Sequence, residues 1–83
     1  MHKVEWTEYA LEDLEKLDNP VIKRILNKLT WFSNNFEHIT PESLSGELAS
    51  TYKIRIGDWR VIYSLEENLI VIQAVGHRRD IYK

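Results

Sequence analysis

Apolar and polar residues alternate at the start of the chain: in His2 to Trp6 (HKVEW), Val4 stands between polar neighbours, the period-two pattern of a short strand. From Glu8 to Leu17 the period changes. Ala10, Leu11, Leu14 and Leu17 recur every three or four residues, with Glu8, Glu12, Asp13, Glu15 and Lys16 on the other side, which predicts an amphipathic helix capped by Thr7. Asp18, Asn19 and Pro20 interrupt it, and proline at a first helical position after an Asn cap starts a second helix that runs to about Asn34. Its apolar stripe is Ile22, Ile25, Leu26, Leu29 and Phe32. Two helices joined by so short a turn form an antiparallel hairpin covering one face of a sheet. Val21 and Trp31 fall off the stripe; packing against the following loop is the expected role of each, with contact to a protein partner the alternative.

Asn35 to Gly46 (NFEHITPESLSG) is rich in Asn, Pro, Ser and Gly and reads as a connecting loop. Strand signals resume near Glu47. In Tyr52 to Ile56, Tyr52, Ile54 and Ile56 point one way and Lys53 and Arg55 the other. Gly57 and Asp58 make a turn into a strand from Trp59 to Leu65, and Glu66, Glu67 and Asn68 make another into Leu69 to Val75. Leu69 to Ile72 is apolar on both faces, which predicts a central or covered position for this last strand. The expected architecture is α+β: a small antiparallel sheet in the order β-α-α-β-β-β, packed against a two-helix hairpin, with residues 1–83 forming one domain.

Composition narrows the function classes. With 43% hydrophobic and 29% charged residues and no low-complexity stretch, the whole chain is expected to fold. No apolar run approaches the roughly 20 residues that span a bilayer, and residues 1–6 lack the apolar core of a signal peptide, so a cytoplasmic location without a membrane partner is expected. The chain has no cysteine and only three scattered histidines, which excludes disulfides and thiolate zinc sites and leaves no metal-ligand spacing; no metal and no cofactor are expected. The net charge of −2 hides an asymmetry: residues 1–51 carry five Lys/Arg against nine Asp/Glu, and residues 52–83 carry six against four. A basic site on an acidic body is the picture that follows.

Strand alternation puts Lys53 and Arg55 on one face, and Arg60, across a tight turn, joins them if the hairpin register permits. Clustered cations repel one another unless a counterion such as a phosphodiester relieves them; the competing reading is a row of solvated side chains on a half-exposed sheet, and this segment alone leaves the two even. The run His77-Arg78-Arg79 after Gly76 brings more donors to one sheet end. Arg suits phosphate through its planar fork, and His77 exchanges protons near neutral pH. Each has a plainer reading as well: His77 as a strand-end residue, Arg79 as a local ion pair with Asp80, and Tyr82 as a packing residue rather than a platform for an unpaired base. Metal-free RNA cleavage needs the 2′-hydroxyl deprotonated, the phosphate charge neutralised and the leaving 5′-oxygen protonated, and cationic side chains meet much of that demand.

The Leu44-Ser45-Gly46 loop, YKIRIGDWRVIY from Tyr52 to Tyr63 and VGHRRDIY from Val75 to Tyr82 resemble the RelE/ParE toxin superfamily over nearly the whole chain. The resemblance implies a toxin of a type II toxin-antitoxin module. In the RelE branch this is an mRNA interferase, a metal-independent endoribonuclease working in the ribosomal A site; in the ParE branch it is an inhibitor of DNA gyrase. It also implies, as site residues, Lys53 and Arg55 as the basic pair of the sheet and candidates for the general base, Arg60 as transition-state stabiliser, Arg78 near the leaving group and Tyr82 against a nucleotide; Glu42 or Glu47 would correspond to the carboxylate of relatives that use an acid-base pair. Lys53, Arg55, Arg60, Arg78 and Arg79 would bind RNA, with His77 as acid. The implied partners are a cognate antitoxin, in a hetero-oligomeric complex, and the ribosome with its mRNA.

Overall fold

Five strands and two helices account for most of residues 2–43 and 51–81, the parts of the chain that the structure, a computed structural model, describes. Strand β1 (Lys3–Trp6) leads into helix α1 (Glu8–Glu15) and helix α2 (Asn19–Asn34); a 3-10 turn (Phe36–His38) and a short strand β2 (Glu42–Ser43) follow, then β3 (Thr51–Ile56), β4 (Trp59–Glu66) and β5 (Leu69–His77). The Thr7 hydroxyl caps α1 by accepting from the Ala10 N–H at 3.1 Å. α2 starts one residue before the predicted proline, with Asp18 at the cap position and Pro20 in its first turn. β2 and the 3-10 turn lie within the stretch expected to be loop; two residues of strand are too short for any periodicity to reveal.

The predicted meander is present, β3 pairing with β4 and β4 with β5, all antiparallel. The sheet as a whole is mixed, in the order β1-β5-β4-β3-β2, because β1 joins β5 in parallel with Lys3 opposite Leu69 and Trp6 opposite Ile72. β5 is therefore central over its first half, as its two-sided apolar run requires. Beyond Trp6, β1 turns away into α1, and the free edge of β5 is covered from the helix: Asp13 Oδ2 accepts the Val75 N–H at 3.1 Å.

Ala10, Leu14, Ile25, Leu29 and Phe32 pack from the helices onto Ile54, Ile56, Val61, Tyr63, Ile70, Ile72 and Val75 of the sheet. Truncating a fully buried member such as Ile25 to alanine costs about 2–5 kcal/mol. The buried helical stripes are narrower than the sequence pattern: Leu11 and Leu26 stay 43% and 42% exposed. Val21 packs against the core as expected. Trp31 does not; it is 50% exposed, with the Lys28 ammonium 4.3 Å from its ring centre.

Two local features position the far end of the sheet. Gly57 has φ +60° at the first central position of the two-residue β3–β4 turn, the arrangement of a type II′ hairpin, and this pins the register of the two strands. In β5, the pairing with β4 jumps from Ala74 opposite Ile62 to Ile72 opposite Tyr63, leaving Gln73 as the extra residue of a bulge. Burial follows the jump, with Ile70, Ile72 and then Val75 inside.

Candidate functional site: a cationic sheet face

Ile54 and Ile56 of β3 are buried under the helices, so Lys53 and Arg55 project from the opposite, open face. The pinned hairpin sets Arg60 directly across from Arg55. Directly opposed cross-strand residues share a face, so Lys53, Arg55 and Arg60 form one row, the register on which the sequence reading depended. Two like charges in direct opposition weaken a sheet, and the fold answers each differently. Arg55 donates from Nη2 to Glu42 Oε2 at 2.7 Å, and Lys53 Nζ lies 3.1 Å from the same oxygen. Arg60 turns toward the hairpin tip, where its Nη1 donates to the Gly57 carbonyl at 2.7 Å and the Trp59 carbonyl at 2.9 Å.

Glu42 reaches this row because β2 pairs with β3 and sets Glu42 opposite Lys53. The hydrogen bond from Lys53 is the largest influence on the Glu42 carboxyl; together with the hydrogen bond from Arg55 and the charges of both cations it outweighs the opposing desolvation and holds the group below its ordinary value. The carboxylate stands where an external anion bound by Lys53 and Arg55 would put an oxygen.

The terminal segment closes the other side of the row. The Arg78 N–H donates to the Asp58 carbonyl at 2.8 Å and its Nε lies 3.5 Å from Asp58 Oδ1, which ties Arg78 to the β3–β4 turn beside Arg60. The chain then folds back through the Ile81 N–H, which donates to the His77 carbonyl at 3.0 Å. This lays Ile81 over Gly76, the residue opposite Arg60, so closely that a Cβ at position 76 would come within 3.2 Å of Ile81 Cδ1.

His77 takes a different side. It is the cross-strand partner of Trp59, which packs against the core, and the two rings meet edge-on at 5.4 Å. The extra residue at Gln73 causes this by shifting the alternation of β5 by one, so that Val75 and His77 follow Ile70 and Ile72 to the helix side. Its Nδ1 accepts the Arg79 N–H at 3.2 Å, so a neutral His77 ring carries its proton on Nε2. Arg79 is exposed in the terminal turn. Tyr82, Glu47 and the Leu44-Ser45-Gly46 loop lie outside the described residues.

One cation at this end went unread in the sequence. Arg24 of α2 lies so close to Gly57 that its Nη2 would be 2.9 Å from a Cβ at that position. On the polar side of a helical pattern it carries no signal that separates it from Lys23 or Lys28. Among the described residues, no group of three or more His, Asp or Glu has the arrangement to hold a metal ion, and no helix is long and apolar enough to cross a membrane.

Residues 4–82 match the family model described as the ParE toxin of the type II toxin-antitoxin system parDE. Toxin RelG of Mycobacterium tuberculosis is 30% identical in an alignment covering 99% of this chain and 97% of that protein. Among solved structures, the RelBE2 toxin-antitoxin complex of Mycobacterium tuberculosis contains a chain that superimposes with a TM-score of 0.82 at 28% identity, over 93% of this chain and 98% of that one. The isolated RelE toxin of E. coli shares the fold, with a TM-score of 0.75 at 24% identity over 99% of this chain and 92% of that one.

Proposed function

The chain belongs to the RelE/ParE family of type II toxin-antitoxin toxins, and from that membership we propose that it is a metal-independent endoribonuclease that cuts mRNA on the ribosome. It thereby arrests translation in the cytoplasm and is neutralised by a cognate antitoxin, the partner of its structural relatives in the RelBE complexes. The observation that carries the nuclease reading is the direct opposition of Arg55 and Arg60 beside Lys53 on an open sheet face. A protein that only docked on another protein has no need for such a row of cations, whereas a phosphodiester gives Arg60 the anionic partner it has not got among the described residues and stands in for Glu42 on Arg55.

In this reading the 2′-oxygen attacks phosphorus, the P–O5′ bond breaks, and the products are a 2′,3′-cyclic phosphate and a 5′-hydroxyl. Arg55 and Arg60 neutralise the charge on the non-bridging oxygens as it grows. The incoming phosphate takes Lys53 and Arg55 away from Glu42, which restores the basicity those cations suppress and leaves the Glu42 carboxylate to accept the 2′-hydroxyl proton. Arg78, held beside Arg60 by Asp58, serves the leaving group. His77 delivers the proton to the 5′-oxygen only if the strand end rotates it away from Trp59. Tyr82 is assigned to the nucleotide base and Arg79 to the flanking backbone.

Programmed ribosomes test this. The wild-type protein yields mRNA fragments ending in 5′-hydroxyl, and the Arg60→Ala, Arg78→Ala double variant yields none while remaining folded; undiminished cutting by that variant would sink the assignment. A second reading, a toxin that inhibits DNA gyrase and cuts nothing, is favoured by the ParE description of the matching model. Loss of supercoiling by gyrase with intact mRNA on programmed ribosomes would establish it.

A further inference from the structure

The β3–β4 turn gathers more cation than its own structure uses. Arg60 donates to the Gly57 carbonyl, Arg78 is tied to Asp58, and Arg24 from α2 occupies the space that a side chain at position 57 would fill. Three guanidiniums thus meet at a two-residue turn whose one carboxylate, Asp58, is already engaged by Arg78. Arg24 is exposed and makes no hydrogen bond or ion pair with the described residues. Through the single residue Gly57, Arg24 Nη2 and Arg60 Nη1 are at most roughly 9 Å apart, close to one Debye length of about 8 Å, so their repulsion is only partly screened. The positive φ of Gly57 belongs to the turn, and with no side chain at that position the Arg24 guanidinium lies directly against it.

We propose that Arg24 is a further binding residue of the site, contacting the phosphodiester backbone beside the phosphate held by Arg55 and Arg60 and carrying the substrate around the hairpin tip. This rests on the nuclease reading for the identity of the strand. Arg24 touches no reacting atom; it supplies affinity and direction. A chain bound on the open face passes Arg60, meets the turn where the main-chain carbonyls of Gly57 and Trp59 are occupied by Arg60, and finds Arg24 as the next free donor fork.

The test measures binding of ribosomes programmed with an mRNA carrying 2′-deoxy residues in the A-site codon, which cannot be cut, across a series of potassium chloride concentrations. Arg24→Ala is expected to weaken binding about tenfold at low salt and to lower the slope of log affinity against log salt by about 0.7, the value for one phosphate contact to a single strand. Arg24→Lys restores the slope and only part of the affinity, because it keeps the charge and loses the fork. An unchanged affinity and slope for Arg24→Ala, in a variant that melts with the wild type, overturns the proposal. Wild-type protein that binds these ribosomes but leaves ordinary mRNA intact overturns the nuclease reading and still reports on Arg24; wild-type protein that does not bind at all overturns both.

Discussion

Replacing Arg60 by glutamine separates what that residue does for the fold from what it does for the reaction. In the resting protein its side chain makes two hydrogen bonds, at 2.7 and 2.9 Å, to carbonyls at the solvent-accessible hairpin tip, which water or a glutamine amide replaces at little cost. It also opposes Arg55 across the strands, and relief of such a like-charge pair contributes about 0.2–1 kcal/mol. The two effects have opposite signs and similar size, so stability should remain within about 0.5 kcal/mol of wild type. For a domain of this length that is a melting shift of no more than about 4 °C. Cleavage should respond very differently. A preorganised donor aimed at developing oxyanion charge is worth about 10²–10³ in rate, and the neutral amide keeps neither the charge nor the fork. Melting curves and single-turnover cleavage on programmed ribosomes measure the two quantities on one preparation. Cleavage within about threefold of wild type would refute the catalytic role, and a melting point lower by more than about 8 °C would show that Arg60 is part of the scaffold.

Three further outcomes follow from local chemistry. Tyr63 is fully buried between Phe32 and Tyr52, its hydroxyl has no partner among the described residues, and burial holds its ionisation well above the ordinary tyrosine value; Tyr63→Phe should leave the protein as stable or more stable by about 1 kcal/mol in urea titration. Glu67 has φ 53° in the β4–β5 turn, a conformation that costs a side chain about 1 kcal/mol, so Glu67→Asn should raise the melting temperature by a few degrees. The Glu42 carboxyl is held low by Lys53 and then Arg55, so its stabilising ion pairs are fully formed above the ordinary carboxylate range and fade as pH falls through its depressed value. Carboxyl NMR should find Glu42 titrating below the ordinary glutamate value, with Lys53→Ala and Arg55→Ala each moving it up.

The helices and the meander were legible because each has a period: three to four residues for Ala10 and Leu14, two for Ile54 and Ile56. The row of Lys53, Arg55 and Arg60 was legible for a related reason, since a glycine in a two-residue turn leaves a hairpin little choice of register. What stayed hidden depends on information that periodicity does not carry. The parallel partner of β1 lies more than sixty residues away, and nothing local to either strand names the other. The bulge at Gln73 moves His77 across the sheet, and a single inserted residue within an apolar run leaves no mark in the pattern. Leu11 and Leu26 belong to their stripes in period yet lie at the margin of the contact. Arg24 becomes distinct only when the helix is laid against the hairpin tip.

The parallel pairing of β1 with β5 bears on how the protein is made. β5 lies between β1 and β4 and is the last of the five strands to be synthesised, so β1 and α1 lack their main sheet partner until nearly all of these residues have been translated. Until then β1 has no hydrogen-bonding neighbour and much of the helical apolar surface has no lid. The row of Lys53, Arg55 and Arg60 can form its hairpin earlier, but not on a supported sheet. A ribosome translating these residues therefore carries an unfinished sheet until β5 has been made and has cleared it.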